Sequence, residues 1–237
     1  MSFLQLVAVV FLLSLAAIFT IEPTKPSNPH YAVKSLTAKS SNNYIVQKGD
    51  SLYAIGFRFG IDYQKLAEWN QIEPPYWLEE GELIQLLPPT NYVRLNPAEV
   101  SLNDKHGGSN VNNIKKTNFD WQWPLKGKLF KGFSVEDNKG IDIAAKIGQP
   151  VYAAAAGKVV HAGNNIAAYG NLLIIKHNDI FLSTYANNHK LLVKLGDEIH
   201  KGQAIAEVGS IGDKVCLHFE IRKNGNPVNP IDYLPDK

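Results

Sequence analysis

The sequence predicts a multi-domain chain: an N-terminal membrane helix or signal, a small βααβ domain, and a larger, mainly antiparallel β domain. Three observations carry this prediction. The chain opens on Phe3–Ile21, a 19-residue run without a charge. Two stretches rich in Pro, Ser and Asn then separate compact segments of contrasting pattern. From residue 120 onward, short apolar runs alternate with glycine turns, and no long helical period appears. Hydrophobic content of 45% with 19% charged residues is ordinary for folded protein. A net charge of +2 gives no basis for binding nucleic acid.

The opening run matches the roughly 20 residues that a membrane-spanning helix needs, and exceeds the about 7–15 of a signal-peptide core. An uncleaved anchor is the favoured reading, with a cleaved signal or a misassigned start as alternatives. Lys25, Lys34 and Lys39 follow the run and argue against export by the positive-inside rule. The domains downstream outweigh that argument. Residues 22–43 read as a tether and 89–119 as a second linker, which leaves compact segments at 44–88 and 120–237. The first of these holds three basic and seven acidic residues. The single cysteine, Cys216, excludes an intramolecular disulfide.

In the small segment, Tyr44–Gln47 predicts a strand and Asp50 or Ser51 a helix cap. Leu52, Ile55 and Phe59 recur at helical spacing up to Gly60. A second helix carries Tyr63, Leu66 and Ala67 and ends near Asn70, and "EEGELIQLLP" supplies a turn and a closing strand. In the large segment, "GKVVHAG", "GNLLIIKH", "IFLSTYA" and "LHFEI" read as strands. Residues 193–209 read as strand, tight turn and return strand.

The small segment, "YIVQKGDSLYAIGFRFGIDYQKLAEWNQI…LEEGELIQLL", resembles a LysM domain along its whole length. That resemblance implies binding to N-acetylglucosamine-containing glycan, hence peptidoglycan, through Gly49, Asp50, Ser51, Asn70, Gln71 and Ile72. Turn and cap roles for Gly49, Asp50 and Ser51 would be filled in any case.

The large segment resembles the lysostaphin/LytM-type zinc metallopeptidases through "NKGIDIAAKIGQPVYAAAAGKVVHAGN", "YGNLLIIKH", "STYANN", "LGDEIHKGQAIAEVGS" and "LHFEIRKNGNPVNPIDYLP". Active members carry H-x-x-x-D, Y-x-H and H-x-H, with zinc on the first His, the Asp and the last His. Here Asn138 stands at the first ligand, Asp142 is kept, and Asn187 follows Tyr185 where Y-x-H has its histidine. Cys216 replaces the first histidine of H-x-H, and His218 is kept. The resemblance therefore implies a degenerate site and a groove retained for a partner, with no cofactor. The alternatives are an altered zinc site on Asp142, His218 and Cys216, and a cysteine nucleophile paired with His218. His161, His177, His189 and His200 read as structural or surface residues.

A LysM domain followed by such a degenerate domain resembles the NlpD-type murein hydrolase activators. The resemblance implies a non-enzyme that binds peptidoglycan and activates periplasmic N-acetylmuramoyl-L-alanine amidases in septal splitting. A zinc-dependent endopeptidase and a passive wall-binding scaffold are the alternatives. With no cysteine near its start, the chain is expected not to be a lipoprotein. It is expected in the cell envelope, on the periplasmic side, held to the inner membrane by residues 3–21.

Overall fold

Short, capped helices and glycine-punctuated strands build two packed units in the computed structural model, which describes residues 42–90 and 119–236. The anticipated membrane helix, the tether and nearly all of the second linker fall outside those residues. Among the described residues, no helix is long and apolar enough to cross a membrane.

The small unit runs β1 (Asn43–Ile45), α1 (Leu52–Phe59), α2 (Tyr63–Asn70) and β2 (Leu83–Gln85), with β1 antiparallel to β2. Ser51 caps α1, its Oγ accepting from the Ala54 amide at 3.2 Å. Asp50 is free of that duty and turns elsewhere. Leu52, Ile55, Leu66 and Ile84 form the unit's own core. Phe59, expected on the same buried face, is 41% exposed and leans edge-on against Tyr44. It is the last residue of α1, where the helix has already left the core. Phe57 is the buried aromatic instead, and it points away from that core.

The large unit adds β3 (Leu129–Lys131), β4 (Ile141–Ala144), β5 (Pro150–Tyr152), β6 (Gly157–Gly163), β7 (Asn171–Lys176) and β8 (Phe181–Leu191). It continues through β9 (Glu198–Ile199), β10 (Ala204–Val208), β11 (Ser210–Ile211), β12 (Lys214–Lys223) and β13 (Asn226–Val228). The main sheet is antiparallel in the order β3-β4-β12-β8-β7-β6-β9, and β10 joins β5 to the far end of β8. The inner face of this sheet, with Leu173, Ile175, Tyr185, Leu217, Phe219 and Ile221, packs with Val151, Ile205 and Val208 of β5 and β10.

Residues 193–209 are not one hairpin. Two turns interrupt them, at Lys194–Asp197 and His200–Gln203, each closed by a side-chain oxygen of its last residue. The short β9 between them pairs with β6. Each turn has its own glycine with positive φ, at Gly196 and Gly202, so the chain reverses twice.

The outer face of the sheet is also covered. Val160, Leu172, Ile174, Leu182 and Ala186 pack against Ala54, Phe57 and Tyr63 of the small unit. The uninterrupted apolar run Leu172–Ile175 follows from this, because each alternate residue is buried on one face or the other.

His177 illustrates the tightness of the inner layer. Its ring bonds the Ala156 carbonyl and the Ser183 hydroxyl, both at 2.7 Å, and meets Trp121 edge-on. Burial pushes its pKa down to about 4. The folded chain therefore binds fewer protons here than the unfolded one. Stability from this group is complete above about pH 6.5 and is lost as pH falls toward 4. His177→Gln is expected to remove that part of the acid sensitivity, measured as the slope of urea midpoint against pH.

Candidate functional site

Pairing register sets the site. On β12 the residues Cys216, His218, Glu220 and Arg222 alternate by two and so share one face, the outer face. His218 pairs across to Asp142 on β4 and to Ala186 on β8. This close pairing depends on Gly140, since a Cβ there would lie 2.3 Å from the Phe219 carbonyl oxygen.

Four side chains form a continuous ionic row. His218 donates from Nδ1 to Asp142 Oδ1 at 2.7 Å and from Nε2 to Glu220 Oε1 at 3.1 Å. Arg222 Nε donates to Glu220 Oε2 at 2.8 Å, and the Tyr169 hydroxyl donates to Glu220 Oε1 at 3.3 Å. All four charged groups are at most 4% exposed. Burial works against a charged imidazole, yet hydrogen bonds and charges from Asp142 and Glu220 outweigh it and raise the His218 pKa to about 9. Burial likewise opposes the Glu220 carboxylate, while Arg222 and His218 hold its pKa down at about 2. At neutral pH the row thus reads anion, cation, anion, cation, and its charges cancel internally.

The residues at the family's remaining positions take other parts. Asn138 is fully buried, and its Nδ2 donates to the Gly132 carbonyl at 2.9 Å while Oδ1 lacks a hydrogen-bond partner. Cys216 is buried opposite Ala144, and burial, with Asp142 nearby, raises its thiol pKa to about 11. It is a protonated thiol at neutral pH, a poor nucleophile and a poor ligand. Among the described residues, no group of three or more His, Cys, Asp and Glu is arranged to hold a metal ion.

Tyr185 does not belong to the groove. It pairs with Phe219 on the inner face, fully buried, and its hydroxyl accepts from the Ala154 amide at 2.8 Å. One residue of register separates it from the face of His218, and that is enough to place it in the core. Asn187 sits at a register shift between β7 and β8 with φ of 61°, a conformation that asparagine tolerates better than most residues. Its position serves the kink of β8.

Of the glycan-loop candidates, Gly49, Gln71 and Ile72 lie at the surface or partly so, and Ser51 caps α1. Asn70 uses its amide to bind the Leu66 and Gln85 carbonyls and the Gln85 amide, which ties α2 to β2. Asp50 is bound by both units. Its Oδ2 accepts from Tyr44 and from the Gln47 amide, and its Oδ1 accepts from Asn165 Nδ2 of the large unit at 2.8 Å.

Glu220, Arg222, Tyr169 and Phe57 were not anticipated as site residues. The Arg222 guanidinium lies 3.8 Å from the centre of the Phe57 ring, and Phe57 meets Tyr169 edge-on. The signal for Glu220 and Arg222 was present as H-x-E-x-R, charges recurring at period two within an otherwise apolar strand.

Family models match this chain twice: LysM domain over residues 44–86 and peptidase family M23 over residues 136–230. The "Lipoprotein NlpD/LppB homolog" of Pseudomonas aeruginosa is 40% identical over 234 residues, covering 84% of this chain and 79% of its own. The "Outer membrane antigenic lipoprotein B" of Haemophilus influenzae is 35% identical, over 90% of this chain and 69% of its own. The "Murein hydrolase activator NlpD" of Escherichia coli K12 is 34% identical, over 84% of this chain and 69% of its own. Two of these relatives are named lipoproteins. That overturns the expectation of a chain that is not a lipoprotein and is held to the inner membrane by residues 3–21.

Proposed function

The chain belongs to the NlpD-type family of proteins that join LysM and peptidase M23 domains, and from that premise we propose a non-catalytic activator of periplasmic N-acetylmuramoyl-L-alanine amidases. In this reading the LysM domain binds peptidoglycan glycan strands, and the peptidase-like groove captures an amidase during septal splitting. The protein acts by binding the amidase's active state more tightly than its inactive one.

The observation that carries the reading is the direct bond between the two surviving ligand residues. A tetrahedral zinc at about 2.0–2.2 Å from each donor would hold two such donors roughly 3.4 Å apart. Asp142 and His218 instead share a hydrogen bond of 2.7 Å, and the second nitrogen of His218 serves Glu220. The third ligand position is Asn138, a neutral amide bonded to backbone. These residues do not fit the zinc of the active peptidases, and with Asn187 and Cys216 in place of the other two histidines no hydrolytic step is assigned to them. The role left for the groove is recognition.

The test is dye release from labelled, purified peptidoglycan by a cognate amidase, with and without the full chain. Release by the amidase is expected to rise several-fold on adding the chain. Unchanged amidase turnover would leave a passive wall-binding scaffold as the better description.

A further inference from the structure

The groove assigned above to a partner is closed in this conformation: Tyr169 lies against His218 and Glu220, and Phe57 of the LysM unit lies against Tyr169 and Arg222. Asn138, Asp142, His218, Glu220 and Arg222 are each at most 4% exposed. The outer layer of this cover, over Tyr169 and Arg222, is α1, a helix buried on two sides. Leu52 and Ile55 face the LysM core, while Ala54 and Phe57 face the sheet of the large unit. Phe57 takes no part in the LysM core cluster, so its burial comes from the sheet, Tyr169 and Arg222. The fit is close: the crevice between the units, lined by Tyr53, Phe57, Tyr63, Leu182 and Arg222, has room for about one water.

A polar clasp closes one edge of this interface, and it uses the loop singled out for glycan. Asn165 Nδ2 donates to Asp50 Oδ1 at 2.8 Å, and Arg58 Nη2 donates to the Asn165 carbonyl at 2.8 Å. Arg58 also lies 3.5 Å from Asp50, whose side chain is fully buried. The buried His161 ring faces the same pair of charges. A sugar hydroxyl bound to the Asp50 side chain would compete with Asn165 for Oδ1.

We propose that glycan binding at residues 49–51 and docking of α1 on the groove face are mutually exclusive, so that a peptidoglycan strand opens the groove to its partner. This rests on the reading of the LysM unit as the peptidoglycan-binding module. In the closed form, Asn165 competes with glycan and Phe57 shields Arg222. Glycan is bound by the open form alone, and its apparent affinity is reduced by the fraction of chain that is closed. By linkage, any change that opens the interface strengthens glycan binding by the same factor.

The experiment uses the full chain and a soluble N-acetylglucosamine hexamer. Phe57→Lys places a second cation against the Arg222 guanidinium, in an interface with room for about one water, and leaves the LysM core residues untouched. Titration calorimetry is expected to show the hexamer bound about tenfold more tightly by this variant than by the unaltered chain. Asn165→Ala, which removes the clasp alone, is expected to shift affinity in the same direction by less. In a Cys216→Ser, Leu182→Cys chain, maleimide labelling of the buried thiol is expected to accelerate about tenfold at saturating hexamer. Hexamer binding with unchanged affinity in Phe57→Lys and an unchanged labelling rate would overturn the gate and leave the LysM reading intact. Failure of both the unaltered chain and Phe57→Lys to bind the hexamer would overturn the gate together with that reading.

Discussion

Glu220→Ala is expected to destabilise the large unit by roughly 3–5 kcal/mol, the range for breaking a buried ionic network by removing one partner. Glu220 touches three groups at once: His218, Arg222 and the Tyr169 hydroxyl. Its removal leaves Arg222 without its carboxylate beneath the Phe57 ring and leaves Nε2 of His218 unsatisfied. Arg222 cannot recover water while Phe57 of α1 lies over it, so opening of the interface is expected to accompany the loss. Urea unfolding of the full chain measures the effect. A change below about 1 kcal/mol would mean that the row contributes little beyond a surface ion pair. Cys216→Ala offers the contrast, since its sulfur makes only a long contact to the Lys214 carbonyl, at 4.0 Å.

Gly140→Val is expected to be comparably severe by a different route. The added Cβ would meet the Phe219 carbonyl oxygen at 2.3 Å, and a backbone oxygen held in a sheet cannot yield. Strand β4 must therefore move away from β12, and the Asp142–His218 bond moves with it. Overpacking of this kind costs about 1–3 kcal/mol in a typical core, with the ion-pair loss added here. Folding, followed by circular dichroism, should weaken, and any capture of an amidase should fall with it. Retention of both would place the β4–β12 contact outside what holds the site together.

Domain order and strand content were legible because they depend on local pattern. Glycine turns and apolar runs locate β6, β7, β8 and β12, and the capping signals locate α1 and α2. Asp142 and His218 were legible through motif spacing, and the register brings them to one face. The direction of Tyr185 was not legible. Side chains alternate along a strand, so its face depends on whether position 185 or 186 aligns with His218, and that is settled by pairing between distant strands. The double burial of α1 was partly legible. "LYAIGFRF" has one charged residue in eight, more apolar than a helix covering one small core requires. Likewise "LLII" in β7 marks a strand covered on both faces. Read together, the two runs point to each other as the missing covers. The two turns within residues 193–209 escaped because one glycine-bearing reversal and two produce the same alternation of apolar and polar residues.

The ionic row also accounts for how a metal-binding fold keeps its shape under this reading. The zinc of the active peptidases, which the resemblance places on the residues at the Asp142 and His218 positions, would link strands β4 and β12. Here the Asp142–His218 bond makes that cross-strand link, and Glu220 and Arg222 extend it along β12. The same row supplies the site where Phe57 docks.

The most direct test of the central claim, that this groove recognises and does not cut, is dye release from labelled peptidoglycan by the full chain alone with zinc supplied in excess. No release above buffer is expected, and His218→Ala should behave as the unaltered chain does in this assay. Zinc-dependent release by the chain without an amidase, abolished by His218→Ala, would contradict the account.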